Sequence, residues 1–148
     1  MKILLVSFST RGAMGDYFFL LAQEIGKKES VILMAPSYFN RKIEDTEIFK
    51  FKMGNSKLAS FFYLLNPVAI IKILKFIKKE KLDIIHLIFG EGYPPMLILA
   101  PYLKRKKIPL IITIHDPEIH PGGIIDTING FLRKFVIKSA TGIHIHSK

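Results

Sequence analysis

Residues 108–116 read IPLIITIHD. The apolar run from Leu110 to Ile114 stops abruptly at His115 and Asp116, and the chain goes on as Pro117-Glu118-Ile119-His120-Pro121-Gly122-Gly123. A run this short and this apolar suits a strand buried on both faces, as a parallel sheet requires. Helical spacing precedes it over Pro94–Arg105 and follows it over Ile124–Ser139. A strand between two helices is the core of a βαβ unit, so the polar loop HDPEIHPGG falls at the strand's carboxyl end.

The same alternation extends outward in both directions. Strands are expected at Lys2–Phe8, Ser30–Ala35, Glu47–Lys52, Asp83–Phe89, Ile108–Ile114 and Gly142–His146. A first helix is expected at Asp16–Lys28, ended by Gly26 and two lysines. A broken helix is expected over Lys57–Lys81, interrupted at Asn66-Pro67, where a cap and a first-turn proline start a new helix. This order predicts an α/β fold: one Rossmann-like domain over 1–148, an open parallel sheet with helices on both faces. Crossovers in such a sheet are right-handed. Its ligands lie beyond the carboxyl ends of the strands, so Ser7–Gly15, Gly90–Pro94 and His115–Gly123 share the candidate edge.

Composition narrows the classes. At 148 residues and 49% apolar, the chain is long enough for one cored domain and too apolar for a disordered one. The absence of cysteine excludes a disulfide scaffold, a thiolate zinc site and a cysteine nucleophile. The opening MKILLVSFSTRG has too short an apolar run, Ile3–Val6, for a signal peptide and reads as a strand. No apolar run approaches the roughly 18 residues of a membrane span. The expected location is cytoplasmic, with a peripheral contact on the inner membrane face. A net charge of +10 favours an anionic partner, although a Lys- and Ile-rich composition also arises from codon bias or heat adaptation.

Chemistry is concentrated in the three loops. In STRGAMGD, Arg11, Gly12 and Gly15 are candidate ligand contacts: glycines let amides approach a ligand, and a helix start favours anions. The spacing is not G-x-G-x-x-G and there is no P-loop lysine, so a plain tight turn is the alternative. In HDPEIHPGG, His115 and Asp116 are the candidate catalytic pair and His120 a candidate substrate contact. The alternative for His115 is a strand-end cap bonded to backbone. No third histidine stands at a ligand spacing, so no metal is expected. Glu91, between two glycines in FGEGYPP, is a candidate for sugar hydroxyls or for water. His86 reads as a satisfied core residue, and His144 and His146, on one face of the last strand, as structural.

Residues 50–81 form a basic, apolar segment in which Glu80 is the only acid. Lys72, Lys75, Lys78, Lys79, Phe61 and Phe62 are its candidate contacts with an anionic membrane interface. The alternative is a core-facing helix with a solvated lysine face. Nucleic acid is not an expected partner, since no helix-turn-helix, RNP aromatic pattern or zinc finger occurs.

Four pieces in order resemble the N-terminal domain of a GT-B-fold glycosyltransferase of the family 4 type. MKILLVS with its glycine loop resembles the first strand and loop, and KLDIIH (Lys81–His86) the "PDIIH" strand. KIPLIITIHD (Lys107–Asp116) resembles "P-x-x-x-T-x-H-D", and SATGIHIHS (Ser139–Ser147) the strand that closes the first domain. Leu82 stands where the family usually has Pro, Ile88 where many members have a second His, and Gly142 where Asp is usual. The resemblance implies an acceptor-binding half whose partner domain, absent from this chain, holds a nucleotide-sugar donor through a Glu-x7-Glu motif. It implies His115 near the transferred sugar, the Gly12–Gly15 loop near donor phosphates or acceptor, and a saccharide or lipid-linked acceptor. It also implies metal-independent chemistry with no cofactor beyond the donor as co-substrate. On this reading the chain alone is inactive. The other function class left open is a non-enzymatic basic module docking on anionic membrane or on a separate catalytic subunit.

Overall fold

The computed structural model describes residues 1–54, 57–115 and 124–145. Six strands, β1 (Lys2–Ser7), β2 (Ser30–Pro36), β3 (Glu47–Phe51), β4 (Ile84–Phe89), β5 (Leu110–Ile114) and β6 (Gly142–Ile145), form one sheet. All described pairings are parallel, and the strand order is β3-β2-β1-β4-β5-β6. The helices are α1 (Ala13–Gly26), α2 (Lys57–Leu65), α3 (Pro67–Glu80), α4 (Met96–Lys106) and α5 (Ile124–Ser139).

Strand alternation divides the core in two. Leu4 and Val6 of β1, with Ile85, Leu87, Leu110 and Ile112, face a layer built from α2, α3, α4 and α5. Ile3 and Leu5, with Val31, Leu33 and Ile88, face α1 through Phe18 and Ala22. Helices therefore cover both faces, as the pattern predicts, but unequally. Burying both faces is what makes these strands read as unbroken apolar runs.

Boundaries move for local reasons. The first helix starts at Ala13 rather than Asp16, because Gly12, at φ 56°, completes the turn before it. A Cβ on Gly15 would stand 2.3 Å from the Thr10 carbonyl oxygen, so only glycine lets the first turn close on the loop. β5 starts at Leu110 rather than Ile108, since Pro109 has no N–H for the ladder. The break at Asn66-Pro67 falls as expected: the Asn66 side chain accepts from Val68 N at 2.9 Å, with Pro67 opening α3. Among the described residues no helix is long and apolar enough to cross a membrane.

Candidate functional site

The strand order reverses between β1 and β4: crossovers from β1 run towards β2, and those from β4 towards β5. In an open parallel sheet this switch point leaves a crevice beyond the carboxyl ends of the two strands. The β1–α1 loop, the β4–α4 loop and His115 all lie at that edge.

His115 is positioned by an irregularity in the sheet. β1 and β4 pair as Val6 with Leu87 and then Ser7 with Phe89, so the register slips past Ile88. The β4–β5 ladder runs only from Ile85 with Leu110 to Leu87 with Ile112. The Ile88 carbonyl is taken up by the His115 side chain, whose Nε2 donates to it at 3.0 Å. A carbonyl only accepts, so this bond places a hydrogen on Nε2. The Tyr17 ring from α1 meets the imidazole edge to face, with centroids 5.3 Å apart.

Deeper on the same face lies a polar chain across three strands. Thr113, fully buried on β5, meets His86 Nε2 on β4 at 2.8 Å and His144 Nδ1 on β6 at 3.5 Å. Its side chain also bonds Tyr17. Burial, and secondarily the neighbouring His144, push the His86 imidazole from 6.5 down to about 4, so it is neutral at physiological pH. Burial raises the Tyr17 phenol, partly countered by its bond to Thr113. The chain thus ties α1 to β5 two residues before His115.

The β4–α4 loop turns on Gly90, at φ 117°, where a Cβ would come within 2.4 Å of the Phe8 ring. Gly90 N donates to Glu91 Oε2 at 3.2 Å, and Arg133 Nε of α5 pairs with Glu91 Oε1 at 3.3 Å. Both side chains of that pair are about 15% exposed (14% and 15%). Tyr93 stacks on Phe8 at 5.6 Å and lies close enough to Glu91 and Arg11 to feel their charge. Burial is the main cause that raises its phenol. Arg11 reaches over the Tyr38 ring at 5.1 Å, a cation–π contact across the mouth of the crevice.

Of the sequence-derived candidates, Arg11, Gly12, Gly15, Glu91 and His115 share this edge. Gly12 and Gly15 close the turn through Gly15 N to Gly12 O at 2.9 Å, and α1 carries no side-chain cap. Asp16 is engaged by Arg41. Glu91 neither faces water freely nor stands unpaired; its carboxylate is held by Arg133 and the Gly90 amide. Asp116, His120 and His146 lie outside the described residues, as does the Phe61 side chain. Lys72, Lys75, Lys78, Lys79 and Phe62 are exposed on the helix layer, away from the crevice. Among the described residues no group of three or more His, Asp or Glu side chains is placed to hold a metal.

Sequence reasoning missed Tyr17, Thr113 and Arg133; it read His86 as a satisfied core residue, which its bond to Thr113 bears out, and His144 as structural, without joining the two. One signal was present: Thr113 and His115 alternate along a strand that is otherwise apolar, which puts both on one face. Nothing in the sequence joins Arg133 to Glu91.

The chain matches no protein-family model and no curated protein. Among solved structures it is similar to the UDP-GlcNAc 2-epimerase of Methanocaldococcus jannaschii, at a TM-score of 0.65 and 13% identity over 99% of this chain and 40% of that one. It is also similar to the dTDP-glucose 4,6-dehydratase of Bacillus anthracis str. Ames in complex with NAD, at 0.59 and 10% over 94% and 50%. The chain spans half or less of the length of either enzyme. At these identities the likeness is one of fold, and with the strand order above it makes this chain a Rossmann-like α/β domain.

Proposed function

We propose that the chain is the acceptor-side domain of a nucleotide-sugar-dependent glycosyltransferase, acting on a saccharide or lipid-linked acceptor. The observation that carries the reading is His115. Its imidazole is anchored at the carboxyl end of β5 by the Ile88 carbonyl and Tyr17, on the edge that also holds the Gly12–Gly15 turn. The two enzymes of similar fold are named for a UDP-sugar and a dTDP-sugar, which agrees with a nucleotide-sugar role. The GT-B resemblance of the sequence supplies the finer reading of glycosyl transfer, with Asp116 beside His115 and His120 towards the substrate.

Transfer requires charge stabilisation both at the departing diphosphate and at the sugar. The edge described here offers an uncapped helix start and one imidazole. The donor is therefore assigned mainly to a second domain, and no cofactor or metal takes part in this reading. The test is turnover of nucleotide sugars by the chain alone and by the chain joined to a donor-binding domain. None is expected from the chain alone. In the joined protein, His115→Ala is expected to lower turnover by about a hundredfold, the scale of a lost acid–base or positioning group. Turnover by the isolated chain, or an undiminished His115→Ala enzyme, refutes the reading.

A non-enzymatic docking module is the second reading. It is favoured by the exposed Phe62 and Tyr63 beside the α3 lysines.

A further inference from the structure

His115 stands past the ladders that hold its strand. The described β4–β5 pairing ends at Leu87 with Ile112, and the described β5–β6 pairing at Ile114 with Ile145. Side-chain contacts therefore hold the imidazole. The bond from Nε2 to the Ile88 carbonyl at 3.0 Å fixes one ring nitrogen and the tautomer. A single hydrogen bond fixes a distance and a direction, and the ring plane can still turn about it. The Tyr17 ring opposes that turning: it stands at 83° to the imidazole plane, with centroids 5.3 Å apart.

Tyr17 is in turn fixed at its far end. Its side chain bonds Thr113, which is fully buried and lies two residues before His115 on the same face of β5. Two residues of strand span about 7 Å, so one tyrosine reaches both, its ring against His115 and its hydroxyl at Thr113. Thr113 is held from both sides, by His86 Nε2 at 2.8 Å and His144 Nδ1 at 3.5 Å. One hydroxyl hydrogen and two lone pairs can serve three partners. Packing alone asks only for a phenylalanine, as at the fully buried Phe18 beside it. A phenol turned in to a buried threonine, with its ring against an imidazole, needs a further reason. Tyr17 also lies two residues beyond Gly15, so one short stretch of α1 carries both the glycine turn and the contact to His115.

We propose that Tyr17 is the positioning residue of this crevice: its ring sets the plane of the His115 imidazole, and Thr113, through the phenol hydroxyl, sets the ring. The polar chain from β4 and β6 thereby reaches a side chain that the described ladders no longer hold. Because α1 begins at the Gly12–Gly15 turn, one helix fixes both where a ligand meets that turn and how the imidazole faces it. The expected effect on turnover rests on the reading of His115 as an acting group of a transferase; the effect on the imidazole itself does not.

The test reads the imidazole in the chain alone, by side-chain nitrogen NMR at about pH 8.5, above the ordinary imidazole range. The wild type is expected to show one His115 tautomer, with the hydrogen on Nε2, and a nuclear Overhauser contact to the Tyr17 ring. Tyr17→Leu is expected to give mixed tautomers and broadened ring signals. Tyr17→Phe keeps the ring but loses its hold on Thr113, and is expected to broaden the same signals; Thr113→Ser keeps a hydroxyl and is expected to leave them sharp. In the protein joined to a donor-binding domain, Tyr17→Leu is expected to lower kcat about tenfold or more with KM for the nucleotide sugar unchanged, the mark of a misplaced group. Wild-type His115 signals in Tyr17→Leu, or mixed tautomers in the wild type, overturn the proposal. So does a variant that melts earlier with its tautomer unaltered, because Tyr17 is then structural. Where Tyr17→Leu does not fold, Tyr17→Phe decides by the same signals. Altered signals with undiminished turnover uphold the positioning and count against the transferase reading alone.

Discussion

His86 makes the protein's stability depend on pH in a defined direction. In the unfolded chain its imidazole takes up a proton near 6.5; in the fold, burial first and His144 second hold it down to about 4. Between those values the unfolded state binds more protons, so stability is full above 6.5 and is lost as pH falls towards 4. Integrating the linkage from pH 7.5 to pH 5 gives a loss of about 2 kcal/mol from this one group. The protonated ring would face the His144 imidazole across Thr113. Urea unfolding of the wild type and of His86→Gln at the two pH values isolates the term, because other groups contribute equally to both proteins. The wild type is expected to lose about 2 kcal/mol more than the variant. Equal losses would mean that His86 titrates normally, and that burial among α1, β4, β5 and β6 does not control it.

Other expectations follow from the same geometry. Gly90→Ala forces a side chain onto φ 117° and into the Phe8 ring; a cost of about 2–5 kcal/mol is expected, read as a fall in melting temperature. Asn66→Ala removes the cap on Val68 N and is expected to cost about 1 kcal/mol, measured by urea titration. Changing Lys72, Lys75, Lys78 and Lys79 to Gln is expected to cut any binding to anionic vesicles about a hundredfold or more with an unchanged spectrum; unchanged binding refutes a membrane contact through this segment.

Much of the site's frame was legible in the residue order. His115 closes an apolar run, and an apolar run in an alternating α/β chain is a buried strand, so its carboxyl end had to face the ligand edge. The Asn66-Pro67 break was legible because capping is local chemistry between near neighbours. The role of Glu91 was not. Its partner Arg133 lies on another helix, and a loop carboxylate between glycines looks the same whether it awaits a hydroxyl or holds an arginine.

The sequence by itself determined the class of fold and the position of each element to within a few residues, because hydrophobic periodicity, glycine and proline act over one or two turns of chain. Only the tertiary structure decided the strand order, the register slip that turns the Ile88 carbonyl to His115, and the meeting of His86, Thr113 and His144 across three strands. Those contacts depend on which strands lie together and in what register. Pairing between distant segments is set by the packing of the whole sheet, and no local pattern encodes it.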